Sequence, residues 1–470
     1  MSQNGSSLRK TLSDIIRVSG SNMVKLLSGV LVGFLLPKIV GVTDYGYFKT
    51  FTLYVLYVGL FHFGIVDGIH LKYGGWDYQD LDRHSFRFYT AALFMIEVVI
   101  GAVICAVAML FLTGEYRFIF FCLGIYLIVH NVTGYFQSIS QVTSRFRELS
   151  QRTVIQSVLM ALAVALLWIS PKIAPVQISY RIYTVFYVLI EAFLAVWYVF
   201  TYRDITFRKR TQLWSDIPKL IKLGFPLTVA NLCASLVLTL DRQFVNILFD
   251  TNTYAVYAFA YNMLALVTTA TAAIATVLYP SLKKAKEESL PRNYPRLISA
   301  VLAFAFGCLV LYFPLCAFVE WFLPKFTGSL PIYRIIFPGL AVSSAISIVM
   351  YNYYKTLDLS FLYFKKSVVV LVISGIANYV AYYFFHTPAA ISVASIVVML
   401  IWYMYVEAAL VKKYQVARWK NVAYMILLMT AFYVITAIPN LWIAGAVYVA
   451  VFLAASFFLI WKDVKRFILE

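Results

Sequence analysis

Charge is what this chain has least of. Only 13% of its residues are Asp, Glu, Lys or Arg, against 62% hydrophobic, whereas soluble domains are about a quarter charged and about half apolar. So little polar surface cannot clothe a water-soluble globule of 470 residues, which leaves lipid as the solvent for most of the exterior. Cysteine is sparse as well, and Cys105, Cys122, Cys233, Cys308 and Cys316 all lie in apolar runs. They show neither zinc-ligand spacing nor a loop-borne disulfide pattern, and read as small buried apolar residues. The motifs of chemistry are missing too. No Gly-rich phosphate loop ending in Lys-Ser/Thr occurs, so no ATPase domain is expected. Neither a zinc-protease helix nor a G-x-S-x-G turn is present, and no cofactor, metal site or catalytic residue is expected. The outer connections are short, which speaks against a membrane polymerase or ligase with a working extracytoplasmic loop. No cleavable signal peptide is read: the first residues are polar, and the apolar run after them exceeds a signal core and lacks a small-residue cleavage site.

What the chain does have is apolar runs of membrane-crossing length. A hydrocarbon layer of ~30 Å takes about 20 helical residues, and the alternating pattern of a barrel is absent. Fourteen candidate helices lie at 15–40, 47–70, 88–112, 117–139, 153–170, 178–201, 220–249, 254–280, 297–320, 332–354, 362–385, 388–411, 421–438 and 440–461. The net charge of +18 is spread over many loops, which argues against a nucleic-acid surface. With the N-terminus in the cytoplasm, the outer segments hold only Lys38, Lys49, Arg117, Lys172, Arg181, Lys325 and Arg334. Most other cations then fall inside, as the positive-inside rule requires. The sequence thus predicts an all-α polytopic membrane protein of fourteen transmembrane helices with both termini cytoplasmic. The longest connection, near 201–219, divides it into an N-terminal lobe of six helices (1–210), a C-terminal lobe of six (211–415) and two extra helices (416–470). A faint likeness between TDYGYFKTF (43–51) and NTYAVYAFAYN (252–262) fits parallel repeats, whose substrates bind between the lobes near the midplane.

Polar residues inside spans are costly and face protein or water. At ~100° per residue, Arg17, Ser21, Lys25 and Ser28 fall in one sector of about 80° on the first helix. Thr228, Asn231, Ser235, Thr239, Arg242 and Asn246 form a similar stripe on the seventh. Weaker stripes join His130, Gly134, Gln137, Ser138 and Gln141 on the fourth, and Ser344, Tyr351 and Lys355 on the tenth. The embedded acids are Asp67, Glu97, Glu191, Asp241, Glu320 and Glu407. Of these, Asp67, Asp241, Glu97, Glu191 and Glu407, with His62 and His130, read as ion-coupling sites or structural pairs. Asp241 follows its own direction about 100° from Arg242, so either a direct pair or a tie to a neighbouring helix fits. The two main stripes carry three cations and no acid. That sign suits a phosphate or diphosphate, which Arg and Lys hold by charge-assisted hydrogen bonds, and suits a cationic drug poorly.

Two stretches carry a family resemblance. GFLLPKIVGVTDYGYFKTFTLYVLYVGLFHFGIVDGIHLKYGG (33–75) resembles the opening helices of Wzx-type polysaccharide flippases of the multidrug/oligosaccharidyl-lipid/polysaccharide (MOP) exporter superfamily. GFPLTVANLCASLVLTLDRQFV (224–245) resembles their seventh helix, including the pair Asp241 and Arg242. The resemblance implies two six-helix lobes in a V, working by alternating access in the bacterial cytoplasmic membrane. It implies an undecaprenyl-diphosphate-linked oligosaccharide as cargo, for capsule or exopolysaccharide synthesis, with glycosyltransferases and a polymerase of the same pathway as partners. MurJ-like relatives gather cations from comparable helices, and Arg17, Lys25, Lys49 and Arg242 occupy comparable places here. With Asn231 and Ser235 of the seventh-helix stripe they form the expected substrate-binding set. The rival readings are a MurJ-like lipid II flippase, a cation-coupled multidrug antiporter and a membrane polymerase or ligase.

Overall fold

In hydrocarbon each backbone N–H and C=O must be satisfied within its own segment, which makes helices of apolar runs. The computed structural model describes residues 2–173, 178–207, 214–284, 287–416 and 419–469, and among them there is no strand. Among the described residues ten helices are long and apolar enough to cross a membrane, and two bent pairs bring the number to twelve. The two other segments read from the sequence are the helix Thr251–Lys284 and the 17-residue helix Trp419–Ile435. The chain folds as two compact units, Met1–Leu232 and Cys233–Glu470.

The first unit holds α1 (Ser2–Ile39), α2 (Val42–Val58), α3 (Ile65–Tyr73), α4 (Arg83–Phe111), α5 (Gly114–Val142), α6 (Phe146–Ile173), α7 (Tyr180–Thr201) and most of α8 (Asp216–Val237). α1 lies along α6, where the Ser28 hydroxyl donates to the Ser157 carbonyl at 2.6 Å. Asp82 caps α4 by accepting from the backbone N–H groups of His84 and Ser85. The Ser85 hydroxyl and those N–H groups hold the Asp82 carboxyl below the ordinary carboxylate range.

The second predicted span, 47–70, is not one straight helix. α2 runs through a tight turn at Gly59–His62 into Phe63 and Gly64, both left-handed at φ 48° and 85°, and α3 leaves at 60°. The cause is a backbone-to-backbone crossing of α3 on α8. A methyl group on Gly64 would strike the backbone of Phe225, one on Gly68 the Leu220 carbonyl, and one on Gly224 the backbones of Gly64 and Gly68. Small residues four apart permit such close approach. Around this crossing Ile65, Ile69, Phe86, Tyr135, Tyr198 and Leu220 form a dry cluster. Phe136 stacks on Tyr202 with ring centroids 5.3 Å apart.

The second unit continues through α9 (Leu240–Leu248), α10 (Thr251–Lys284), α11 (Leu290–Cys308), α12 (Tyr312–Phe322), α13 (Ser329–Ile336), α14 (Gly339–Ser344), α15 (Tyr351–Thr356), α16 (Ser360–Phe385), α17 (Pro388–Tyr414), α18 (Trp419–Ile435), α19 (Leu441–Ala455) and α20 (Trp461–Leu469). The seventh predicted span, 220–249, is interrupted between α8 and α9. Leu238 and Thr239 turn with tight bonds to the Ser235 and Leu236 carbonyls, and the Thr239 hydroxyl also takes the Ser235 carbonyl at 3.0 Å, a local bond that competes with the helix ladder. The tenth span bends by 45° between α13 and α14, where Pro338 has no N–H to give. The last helices are pinned within this unit. Arg334 Nε donates to Thr436 Oγ1 at 2.8 Å and its terminal nitrogen to the Tyr433 carbonyl at 2.6 Å. Ser299 donates to Asn421 at 2.8 Å, and Tyr448 to the Phe306 carbonyl at 2.9 Å.

Candidate functional site

The stripe on α1 divides into two kinds of side chain. Ser21 and Ser28 are buried, and Ser28 serves the contact with α6. Arg17 and Lys25 are exposed although both lie in the Arg17–Ile39 span. Lys25 has no ion-pair partner among the described residues. On α2, half-buried Lys49 sits 5.2 Å from the Tyr45 ring centroid. On α8, Asn231 and Ser235 are exposed while Thr228 is buried. Thr228 donates to the Asp67 carboxylate of α3 within the first unit.

α9 sets Arg242 and Asp241 to different tasks. Asp241 is 3% exposed. One of its oxygens accepts from the Tyr257 hydroxyl at 2.8 Å and from the Tyr261 hydroxyl, both on α10. The other accepts from the Arg242 backbone N–H at 2.8 Å. The acid thus ties α9 to α10 and does not bond the guanidinium beside it. Arg242 lies over the Tyr261 ring at 4.8 Å and reaches the Leu238 carbonyl at 3.5 Å. Its Nε is buried without a hydrogen-bond partner. Asp241→Ala should take the acceptor from the Tyr257 and Tyr261 hydroxyls, of which Tyr257 keeps only the 3.3 Å bond from Ser392, at about 1–3 kcal/mol each. A lowered thermal midpoint of the purified protein, with Asp241→Asn less affected, is the expected result.

The remaining embedded groups fall into separate sets. In the first unit, His130 Nδ1 lies 3.2 Å from Glu191 Oε1, and Gln156 donates to Glu191 Oε2 at 2.8 Å. Asn131 donates to Glu97 at 2.8 Å and to the Val58 carbonyl at 3.1 Å. His62 Nδ1 accepts from the Gly64 N–H at 3.0 Å, and Ser138 meets His70 at 3.4 Å. In the second unit, Glu407 accepts from Tyr403 at 3.2 Å, Lys355 lies 4.0 Å over Tyr351, and Glu320 is exposed. Sequence reasoning missed Asn131, Gln156, Tyr257 and Tyr261. The two amides were legible as polar residues inside apolar runs, but a tyrosine in a span gives no sign that its hydroxyl is spoken for. Among the described residues no group of three His, Cys, Asp or Glu could hold a metal, and the five cysteines are free.

Residues 11–286, more than half of the chain, match the polysaccharide biosynthesis protein family. The chain belongs to that family. No curated protein matches it by sequence. Its fold is similar to that of the lipid II flippase MurJ in an inward closed conformation, with TM-score 0.70 and 13% identity over 95% of this chain and 98% of that one. It is also similar to an inward-facing multidrug resistance MATE family transporter of the MOP superfamily (TM-score 0.60, 14% identity, 86% and 100% covered). A third neighbour is a MOP superfamily transporter from Pyrococcus furiosus described by the reversed polarity of its binding pocket (TM-score 0.52, 14% identity, 86% and 96% covered). This family member is therefore a multi-pass membrane protein, with the fold seen in the lipid II flippase and the MATE family transporter.

Proposed function

We propose that this protein moves an undecaprenyl-diphosphate-linked oligosaccharide repeat unit from the inner to the outer leaflet of the cytoplasmic membrane, for capsule or exopolysaccharide synthesis. The observation that carries the reading is the state of Arg242: a guanidinium on α9, just beyond the Asp216–Val237 span, stacked on Tyr261, with its neighbouring acid engaged by tyrosines and its Nε buried and unpartnered. A buried guanidinium nitrogen without an acceptor calls for a partner or an anionic ligand, and a diphosphate offers oxygens that a guanidinium fork can hold. Arg17, Lys25 and Lys49 of the first unit are further cations suited to an anionic headgroup, and Asn231 and Ser235 of α8 are exposed neutral donors suited to sugar or phosphate oxygens. The polyprenyl tail stays in lipid while the headgroup is exposed to the two membrane faces in turn, so no bond in the cargo is made or broken.

The test is flipping in proteoliposomes with a fluorescent polyprenyl-diphosphate oligosaccharide, read by a membrane-impermeant lectin. Protein should raise the fraction of probe that changes leaflet. A rate equal to that of protein-free vesicles would reject the reading. Lipid II is the second candidate cargo, favoured by the likeness of fold to the lipid II flippase MurJ. Faster flipping of lipid II than of the oligosaccharide probe would make it the cargo.

A further inference from the structure

Two buried cations stand at matching places in the sequence of helices. Arg152 of α6 and Lys366 of α16 each lie six residues into their helix. Each reaches across to the helix that follows it. Arg152 lies 4.9 Å from the Trp197 ring of α7 and donates to the Thr201 hydroxyl at 2.6 Å. Lys366 lies 3.8 Å over the Tyr405 ring of α17 and donates to the Tyr405 carbonyl at 2.6 Å. In both units that aromatic ring also lines an apolar groove. The difference lies in the counter-ion. Four residues before Arg152 stands Glu148, which pairs with it at 3.6 Å and also with Arg145. Four residues before Lys366 stands Leu362, and among the described residues no carboxylate pairs with Lys366.

We propose that Lys366 and the groove on α17 bind one anionic phospholipid of the cytoplasmic leaflet, whose phosphate supplies the missing counter-ion.

The groove, of about 490 Å³, is a single stripe of α17: Val397, Leu400, Ile401, Met404, Tyr405 and Ala408. A stripe along a water-filled path would carry polar side chains. This one is apolar apart from the Tyr405 hydroxyl, so it faces lipid. Its length fits one leaflet. From Val397 to Ala408 is about 16 Å at 1.5 Å per residue, and half of a ~30 Å hydrocarbon layer is about 15 Å. Lys366 lies six residues inside the end of α16, and Ala408 six inside the end of α17. The ammonium and the end of the groove therefore share one depth. One turn beyond Ala408 the stripe reaches exposed Lys412, and Lys365 and Lys413 are exposed at the same end. The positive-inside rule places that end in the cytoplasm.

A buried ammonium without a counter-ion is costly, and lysine holds phosphate as a point charge on a flexible stem. Basic pockets between spans at the cytoplasmic face are suited to anionic lipid headgroups. A polyprenyl carrier is much longer than a groove of one leaflet's depth, which favours a diacyl lipid. The phosphate sits at Lys366 and Lys412, one acyl chain fills the groove, and the lipid ties α16 to α17. In the first unit Glu148 already supplies the negative charge, so the groove beside Trp197 takes lipid without regard to its sign.

The test is native mass spectrometry of the full chain in detergent, titrated with phosphatidylglycerol or with phosphatidylcholine. Wild type should hold one phosphatidylglycerol more tightly than phosphatidylcholine. Lys366→Met should bind phosphatidylglycerol about fivefold more weakly, the equivalent of about 1 kcal/mol for one lysine, with phosphatidylcholine unchanged. Lys366→Arg should recover most of the loss. Ala408→Trp fills the groove from an exposed position and should weaken both lipids, whereas Val196→Trp in the other groove should leave the phosphatidylglycerol preference intact. Should Lys366→Met give no monodisperse protein, Ala408→Trp decides by itself. Equal binding of the two lipids by wild type overturns the site, as does phosphatidylglycerol binding that Ala408→Trp leaves unchanged. Displacement of phosphatidylglycerol by a lower concentration of polyprenyl phosphate makes the carrier the occupant and overturns the phospholipid. None of these readouts involves transport, so a failure of the cargo reading leaves them standing.

Discussion

Replacing Arg242 with alanine is expected to cut export of the lipid-linked glycan about 10- to 100-fold while leaving folded protein in the membrane. A hydrogen bond to a charged group contributes about 1.5–3 kcal/mol, and each ~1.4 kcal/mol is a factor of ten. The folding cost is small by comparison. Arg242 touches the Leu238 carbonyl only at 3.5 Å and stacks on one ring, a contact of about 0.5–1 kcal/mol at a partly open site. Arg242→Lys keeps the charge and loses the planar fork, so it should fall between the two. Arg17→Ala should act in the same direction. Surface polymer, measured beside the amount of monodisperse protein, separates transport from folding. Normal polymer in both alanine variants would remove these residues from the headgroup site.

Gly224→Leu should do the opposite: it should abolish the folded protein rather than its transport. The space that a side chain would need at Gly224 is filled by the backbones of Gly64 and Gly68. Overpacking usually costs about 1–3 kcal/mol, because side chains can shift. Here the obstacle is main chain on both sides, with Gly64 at φ 85° and the Asp67–Thr228 bond beside it, so the cost lies at or above the upper end. Gly20→Ala and Gly29→Ala on α1 meet nothing within 4 Å and serve as silent controls. The yield of monodisperse protein and its thermal midpoint are the measurements. A Gly224→Leu protein as stable as these controls would deny the close crossing of α3 and α8.

These two variants also mark where sequence reasoning succeeds and where it stops. Long apolar runs declare helices because composition and length alone decide them, and the all-helical membrane class follows. The breaks inside runs were not legible. Phe63–Gly64 interrupts a span without any fall in hydrophobicity, whereas Leu238–Thr239 runs straight into the polar Asp241, Arg242 and Gln243; the first break follows from a glycine crossing between segments 150 or so residues apart, a tertiary fact. Periodicity placed Ser21, Ser28, Arg17 and Lys25 on one side of α1, but a sector of about 80° is wide enough to hold both a helix contact and an exposed edge. The serines took the first and the cations the second. For Asp241 the angular argument left two outcomes open, and the tie to a neighbouring helix is the one found. Glu97, Glu191 and His130 were visible as ionisable residues in spans, whereas the amides that hold them gave no signal of their partners.

The pinning of Arg334 bears on how the chain is assembled. Its guanidinium bonds Thr436, 102 residues further along the chain, and Ser299 waits for Asn421 across 122. During synthesis these donors enter the bilayer well before their acceptors leave the ribosome. Helices inserted early must therefore tolerate unmet polar groups, held by water or by passing contacts, until α18 arrives. Helices α18 and α19 thus act as a late clasp on helices made before them.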